Sequence, residues 1–145
     1  MPYSVNRRIF LVEDDEDDVL LFKEIMKEID DTIFLDYADD GRKALKKLQT
    51  MEILPHIIFL DLNMPCMNGF EFMHTLKNDD RLKQLPIVIF TSSNNPQDVE
   101  KTHKLGANIF LSKPVDYGLM KNKLERILTF DFAGEEQDTV IQYSF

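Results

Sequence analysis

Cysteine is nearly missing from this chain: among 145 residues only Cys66 carries a thiol. A single thiol excludes a disulfide framework and a cysteine-based zinc site. No apolar run approaches the ~20 residues of a transmembrane helix. The N-terminal segment carries Arg7 and Arg8 but no apolar h-region, so it does not read as a secretory signal. No loop has the spacing of an EF-hand, and there is neither an internal repeat nor a low-complexity linker. The length suits one domain, against a usual size of about 100–200 residues. Together these absences predict a cytoplasmic protein.

Positive charge is also scarce. The net charge is −9, and residues 1–80 account for it with 18 acids against 9 bases. Residues 81–130 hold 4 acids and 8 bases, and residues 131–145 hold four acids and no base. An acidic chain without a dense basic stripe is a poor nucleic-acid binder, and no membrane contact is predicted either. The acidic half points instead to a cation site.

What the sequence does have is a set of short apolar runs: Ile9–Val12, Ile33–Leu35, Ile57–Leu60, Ile87–Phe90 and Ile109–Leu111. They are β-branched and aromatic and do not alternate with polar residues, the pattern of parallel strands covered on both faces. Helix-period segments separate them, anchored by Val19, Phe22, Met26 and Ile29, by Phe70, Met73 and Leu76, and by Met120, Leu124 and Ile127. Shorter helical stretches run over Gly41–Gln49 and Asp98–Leu105; Gly69 and Gly106 read as helix and turn punctuation, and Gly106 suits the C′ position that ends the latter stretch. Alternating strand and helix predicts an α/β doubly wound parallel sheet of five strands, flavodoxin-like, in the order 2-1-3-4-5.

Ligands of such sheets sit at the carboxyl ends of the strands. The first predicted strand runs into Glu13-Asp14-Asp15-Glu16-Asp17-Asp18, the third into Asp61-Leu62-Asn63-Met64-Pro65, the fourth into Thr91-Ser92-Ser93, and the fifth into Ser112-Lys113-Pro114. Helix capping accounts for Asp15 to Asp18 at about 0.3–1 kcal/mol each, but not for Glu13 and Asp14 at the strand end. With Asp61 on the same edge, three carboxylates repel unless a hard divalent ion sits among them, and this donor set suits Mg²⁺. A carboxylate nucleophile, a cation, a lysine and a hydroxyl are what phosphoryl transfer to an aspartate needs.

These four motifs in this order resemble the bacterial response-regulator receiver domain, the CheY-like family, over residues 7–130. The absence of an output segment within the chain also looks similar to the small regulators that pair with bacterial phytochromes. The resemblance implies a phosphorylation-activated switch of a two-component system rather than a turnover enzyme. Asp61 is then the phosphoacceptor, served by a sensor histidine kinase or a phosphotransfer protein. Glu13 and Asp14 form the acidic pair for Mg²⁺ or Mn²⁺, with Asp14 a direct ligand and Glu13 acting through water. Asn63 supplies a backbone carbonyl. Thr91 and Lys113 bind phosphoryl oxygens, Pro114 is expected after a cis peptide bond, and Phe110 is the aromatic switch. Asn63 and Ser93 stand where attacking water approaches and tune the phosphoryl lifetime. Output is expected through the face made by the fourth helix, fifth strand and fifth helix. Glu13 departs from the commoner aspartate, and Phe110 lacks the hydroxyl of the commoner tyrosine.

Other chemistries fit less well. A phosphohydrolase of the haloacid-dehalogenase type needs a second aspartate two residues beyond the nucleophile, where this chain has Asn63. A flavin carrier on this fold would not place six acids against a phosphate. A degenerate receiver would lack a key residue, and none is missing. Cys66 reads as a bland loop residue, and His56, His74 and His103 do not cluster. The tail, residues 131–145, ends in Val140-Ile141-Gln142-Tyr143-Ser144-Phe145 with the loose alternation of a strand. It is expected to fold over the output face or to reach the same face of a second copy, giving a homodimer.

Overall fold

The computed structural model describes residues 7–64 and 67–129 with their side chains, and the backbone of 141–142. The strands are β1 (Arg8–Val12), β2 (Phe34–Ala38), β3 (Ile57–Leu60), β4 (Ile87–Thr91), β5 (Ile109–Ser112) and β6 (Ile141–Gln142). The helices are α1 (Glu16–Ile29), α2 (Gly41–Thr50), α3 (Gly69–Lys77), α4 (Pro96–Lys104) and α5 (Tyr117–Leu128). All strand pairings are parallel, in the order β2-β1-β3-β4-β5-β6. The predicted five-stranded order is therefore present, with a two-residue strand from the tail added at the β5 edge.

The continuous apolar runs have a simple cause. Successive side chains of a strand point to opposite faces. Ile9 and Leu11 join Phe59, Val88, Phe90 and Leu111 under α1 and α5. Phe10 and Val12 join Ile58, Leu60, Ile89 and Phe110 under α2, α3 and α4. Each strand therefore needs apolar residues at both parities. Phe22, Phe59 and Phe90 pack edge-on or tilted at the centre of the first layer, with ring centroids 5.0, 5.9 and 6.3 Å apart.

β2 departs from this rule because it borders the sheet. The apolar run predicted Ile33–Leu35, whereas the strand runs from Phe34 to Ala38 and includes Asp36. The Phe34 N–H donates to Arg7, and the Ala38 carbonyl accepts from Glu13, so these alternate residues face β1. The outward groups at Tyr37 are taken by side chains. Its N–H donates to Asp36 Oδ1 at 2.8 Å, and its carbonyl accepts from Lys47 Nζ at 2.7 Å.

Helix ends follow their local chemistry. Asp15 caps α1 by accepting from the N–H groups of Asp17 and Asp18. Asn68 and Glu71 form a reciprocal capping box on α3. Asn95 caps α4 ahead of Pro96 at its first turn. Gly106, expected at C′, has φ +104°, a conformation that L side chains rarely adopt. No helix of the described residues is long and apolar enough to cross a membrane.

Candidate functional site

The ladder carries the predicted residues to one edge. The Glu13 N–H donates to Ala38 O and the Asp61 N–H to Val12 O, each at 3.0 Å, and the Lys113 N–H donates to Thr91 O at 2.7 Å. The first residue beyond β1, β3 and β5 is thus still held by the sheet. Glu13, Asp61, Thr91 and Lys113 meet at the end of a rigid scaffold.

Asp61 is buried and accepts a 2.8 Å hydrogen bond on Oδ1 from the hydroxyl of Thr91, which is itself fully buried. The Asn63 N–H reaches the same oxygen at 3.3 Å, bending the chain back over the carboxylate. Lys113 Nζ lies 3.7 Å from Asp61 Oδ2. It lies closer to two other carboxylates, 2.5 Å from Glu13 Oε1 and 2.9 Å from Asp18 Oδ2. Among the described residues, Glu13, Asp14 and Asp61 form the group that could hold a metal ion, with ligand atoms all within 4.8 Å.

Burial sets the electrostatics. It pushes the Glu13 carboxyl up to about 7; the neighbouring Asp61 charge adds to this, and the Lys113 hydrogen bond offsets part of it. Burial alone would lower Lys113, but its hydrogen bonds to Glu13 and Asp18 and the charge of Asp61 together raise it. One cation therefore faces several acids in a desolvated pocket, and acidic charge is left over for a divalent ion to neutralise.

The loops around the site are tightly tied. At Gly69 an added Cβ would lie 2.8 Å from Leu62 Cα and 2.9 Å from Asp61 O, so only glycine lets α3 start this close behind Asp61. The Ser93 hydroxyl donates to Asp98 Oδ2 at 2.7 Å, and the Ser93 carbonyl accepts from Ser112 Oγ at 3.0 Å. This joins the end of β4 to α4 and to β5. Phe110 points into the core beside Ile89 and Val99 and is buried without needing a hydroxyl partner.

The structure brings Glu13, Asp14, Asp61, Thr91 and Lys113 together and sets Asn63 and Ser93 in the flanking loops. It corrects three readings. Asp18, explained from sequence by capping alone, sends its carboxylate to Lys113, 95 residues away, a pairing that no spacing in the sequence marks. Gly69, read as helix punctuation, is a packing requirement of the site. The Lys113–Pro114 bond is trans, and no cis peptide occurs among the described residues; the isomers of a prolyl bond differ by only about 0.5–1 kcal/mol, so its place in the loop decides. Cys66 and the tail apart from 141–142 lie outside the described residues.

The sequence matches the response regulator receiver domain family over residues 9–125. Response regulator Rcp1 of Synechocystis sp. is 35% identical over 112 residues, covering 72% of this chain and 75% of that protein. The crystal structure of a phosphorylated cyanobacterial phytochrome response regulator, RcpA, superposes with a TM-score of 0.81 at 26% identity, covering 90% of this chain and 97% of that one. The Mn²⁺-bound form of Rcp1 gives a TM-score of 0.75 at 31% identity, with the same coverage of 90% and 97%.

Proposed function

The chain belongs to the response regulator receiver family, the phosphorylation-activated switches of two-component signalling, and we propose that Asp61 is its phosphoacceptor. The observation that carries this reading is the convergence on Asp61 of a buried hydroxyl at 2.8 Å and an ammonium at 3.7 Å. In this reading an Asp61 carboxylate oxygen attacks the phosphorus of a phosphohistidine on a sensor kinase or phosphotransfer protein. The P–N bond breaks as the new O–P bond forms, and the histidine nitrogen recovers a proton. Water later hydrolyses the acyl phosphate, so the only chemistry assigned to the chain is the gain and loss of its own phosphoryl group. Thr91 donates to one phosphoryl oxygen and Lys113 neutralises another.

The acidic donors fit a hard divalent ion, and the solved Rcp1 structure holds Mn²⁺. Asp14, Asp61 and the Asn63 carbonyl would be direct ligands. Glu13, engaged by Lys113, would act through water. When bound, Mg²⁺ or Mn²⁺ would supply charge neutralisation for the transferring group. An Asp14→Asn change should therefore weaken divalent binding more than Glu13→Gln.

We take residues 7–130 as the receiver and 131–145 as an appended tail. Output leaves through the α4–β5–α5 face to a partner protein, with Phe110 and Thr91 coupling the site to it. The pairing of Ile141 with Ile109 and of Gln142 with Phe110 supports a tail that works at this face, within one chain or across a homodimer. The same reading puts the chain in the cytoplasm, where the kinase draws its phosphoryl group from ATP. Intact mass after incubation with acetyl phosphate and Mg²⁺ tests the core of it. One phosphoryl mass is expected in the native chain and none in Asp61→Asn; labelling that survives that substitution, or needs no divalent ion, overturns the assignment. Removal of residues 131–145 should change oligomeric state or partner affinity without changing the label.

A further inference from the structure

Lys113 has three N–H donors and three carboxylates around it. Two are within hydrogen-bond reach, Glu13 at 2.5 Å and Asp18 at 2.9 Å, while Asp61 at 3.7 Å is beyond it. One N–H is left for a phosphoryl group on Asp61, and any move of the ammonium toward it comes at the expense of the two short bonds. The two are not equivalent. The Glu13 side chain is 2% exposed, so releasing it would leave a charge buried and unpaired. The Asp18 side chain is 41% exposed, and water can take the place of the lysine. Asp18 also starts from a fixed point: its N–H is held by the Asp15 cap at 3.1 Å in the first turn of α1.

We propose that Asp18 is a releasable tether for Lys113, sharing the ammonium with Glu13 in the unphosphorylated chain and giving it up when a phosphoryl group occupies Asp61. Asp18 is a positioning residue that acts through the lysine. It holds the lysine at the mouth of the site and competes with the incoming group for it. The inference rests on the reading of Asp61 as phosphoacceptor. It adds a sign to the behaviour of the site, because removing the tether should favour the occupied state. A half-exposed ion pair has a modest strength, which sets the size of the gain at about two- to five-fold.

The test is a titration with beryllium trifluoride, a phosphoryl analogue, in excess Mg²⁺, on the full-length native chain and on Asp18→Asn, Asp18→Ala, Asp18→Glu and Asp17→Asn. Asp17 is the neighbouring acid and has no bond to Lys113, so Asp17→Asn makes the same change in net charge without touching the tether. Tighter binding by about two- to five-fold in both Asp18→Asn and Asp18→Ala, with Asp17→Asn unchanged and Asp18→Glu near native, is the expected result. Thermal unfolding of each variant separates this from a merely structural role, which would move the melting midpoint and leave the affinity alone. Unchanged or weaker binding in Asp18→Asn and Asp18→Ala overturns the proposal, as does an equal shift in Asp17→Asn. If the native chain takes up neither the analogue nor the phosphoryl mass, the phosphoacceptor reading falls, and the tether falls with it.

Discussion

Replacing Glu13 by glutamine should stabilise the metal-free protein at alkaline pH. The buried Glu13 carboxyl titrates near 7 rather than at its ordinary 4.5. Between those values the folded chain binds a proton that the unfolded chain has released, so stability falls as pH rises through this window. A tenfold difference in proton affinity between the two states is worth about 1.36 kcal/mol, which puts the whole loss at about 3 kcal/mol. Glutamine keeps the shape of the protonated side chain and has no charge to desolvate, so the variant escapes that loss. The difference in unfolding free energy, variant minus native, should therefore grow by about 2–3 kcal/mol between about pH 5 and pH 8. Urea denaturation in chelator at a series of pH values measures it. Excess Mg²⁺ should work the other way, because an ion that binds the native site adds about 2.7 kcal/mol at a hundredfold excess over its dissociation constant. A difference that stays flat across the pH series, or that makes the variant less stable at the alkaline end, would refute the reasoning. It would mean that Lys113 fully compensates the Glu13 charge and that no surplus acidic charge awaits a cation.

Three more outcomes are expected. Ser93→Asn places an amide long enough to orient water while still able to donate to Asp98, and should shorten the phosphoryl lifetime; equal decay rates by intact mass would show that Ser93 does not control water access. Phe110→Ala should leave Asp61 phosphorylation intact and blunt the partner response, at about 3–5 kcal/mol of stability because the ring is buried; calorimetry and a binding assay with the phosphorylated chain check both. Gly69→Ala puts a methyl group against Leu62 and the Asp61 carbonyl, and should cost about 1–3 kcal/mol and slow phosphorylation by displacing the carboxylate; urea denaturation and the rate of labelling by acetyl phosphate check it.

The parts of the fold that were legible are those in which one residue type answers one physical demand. Strands covered on both faces need apolar residues at both parities, so the continuous apolar runs of β1, β3, β4 and β5 could be read directly. β2 was read short because a border strand tolerates Asp36, and its pairing with β1 is invisible in a hydropathy pattern. The site residues were legible through their places after strands, since the sheet fixes where strand ends meet. Asp18 was not, because capping a helix and gripping a distant lysine call for the same side chain, and only the fold brings Lys113 within 2.9 Å. Gly69 looks the same in sequence whether it ends a turn or makes room for a neighbouring backbone; the 2.8 Å approach to Leu62 is a property of packing.

The two borders of the sheet have different futures. At the β2 border the outward backbone groups of Tyr37 are already occupied by Asp36 and Lys47, which discourages a foreign strand from docking there. At the other border a strand has docked, and it comes from the chain's own tail. A sheet open on both sides is a monomer for polymerisation, since each added strand leaves a fresh place for the next. With one side closed, growth by strand pairing ends as soon as the open sides of two molecules meet. The ion pair between Lys47 and Asp36 helps to close the β2 side and β6 lies along the β5 side, so each border carries its own obstacle to a foreign strand.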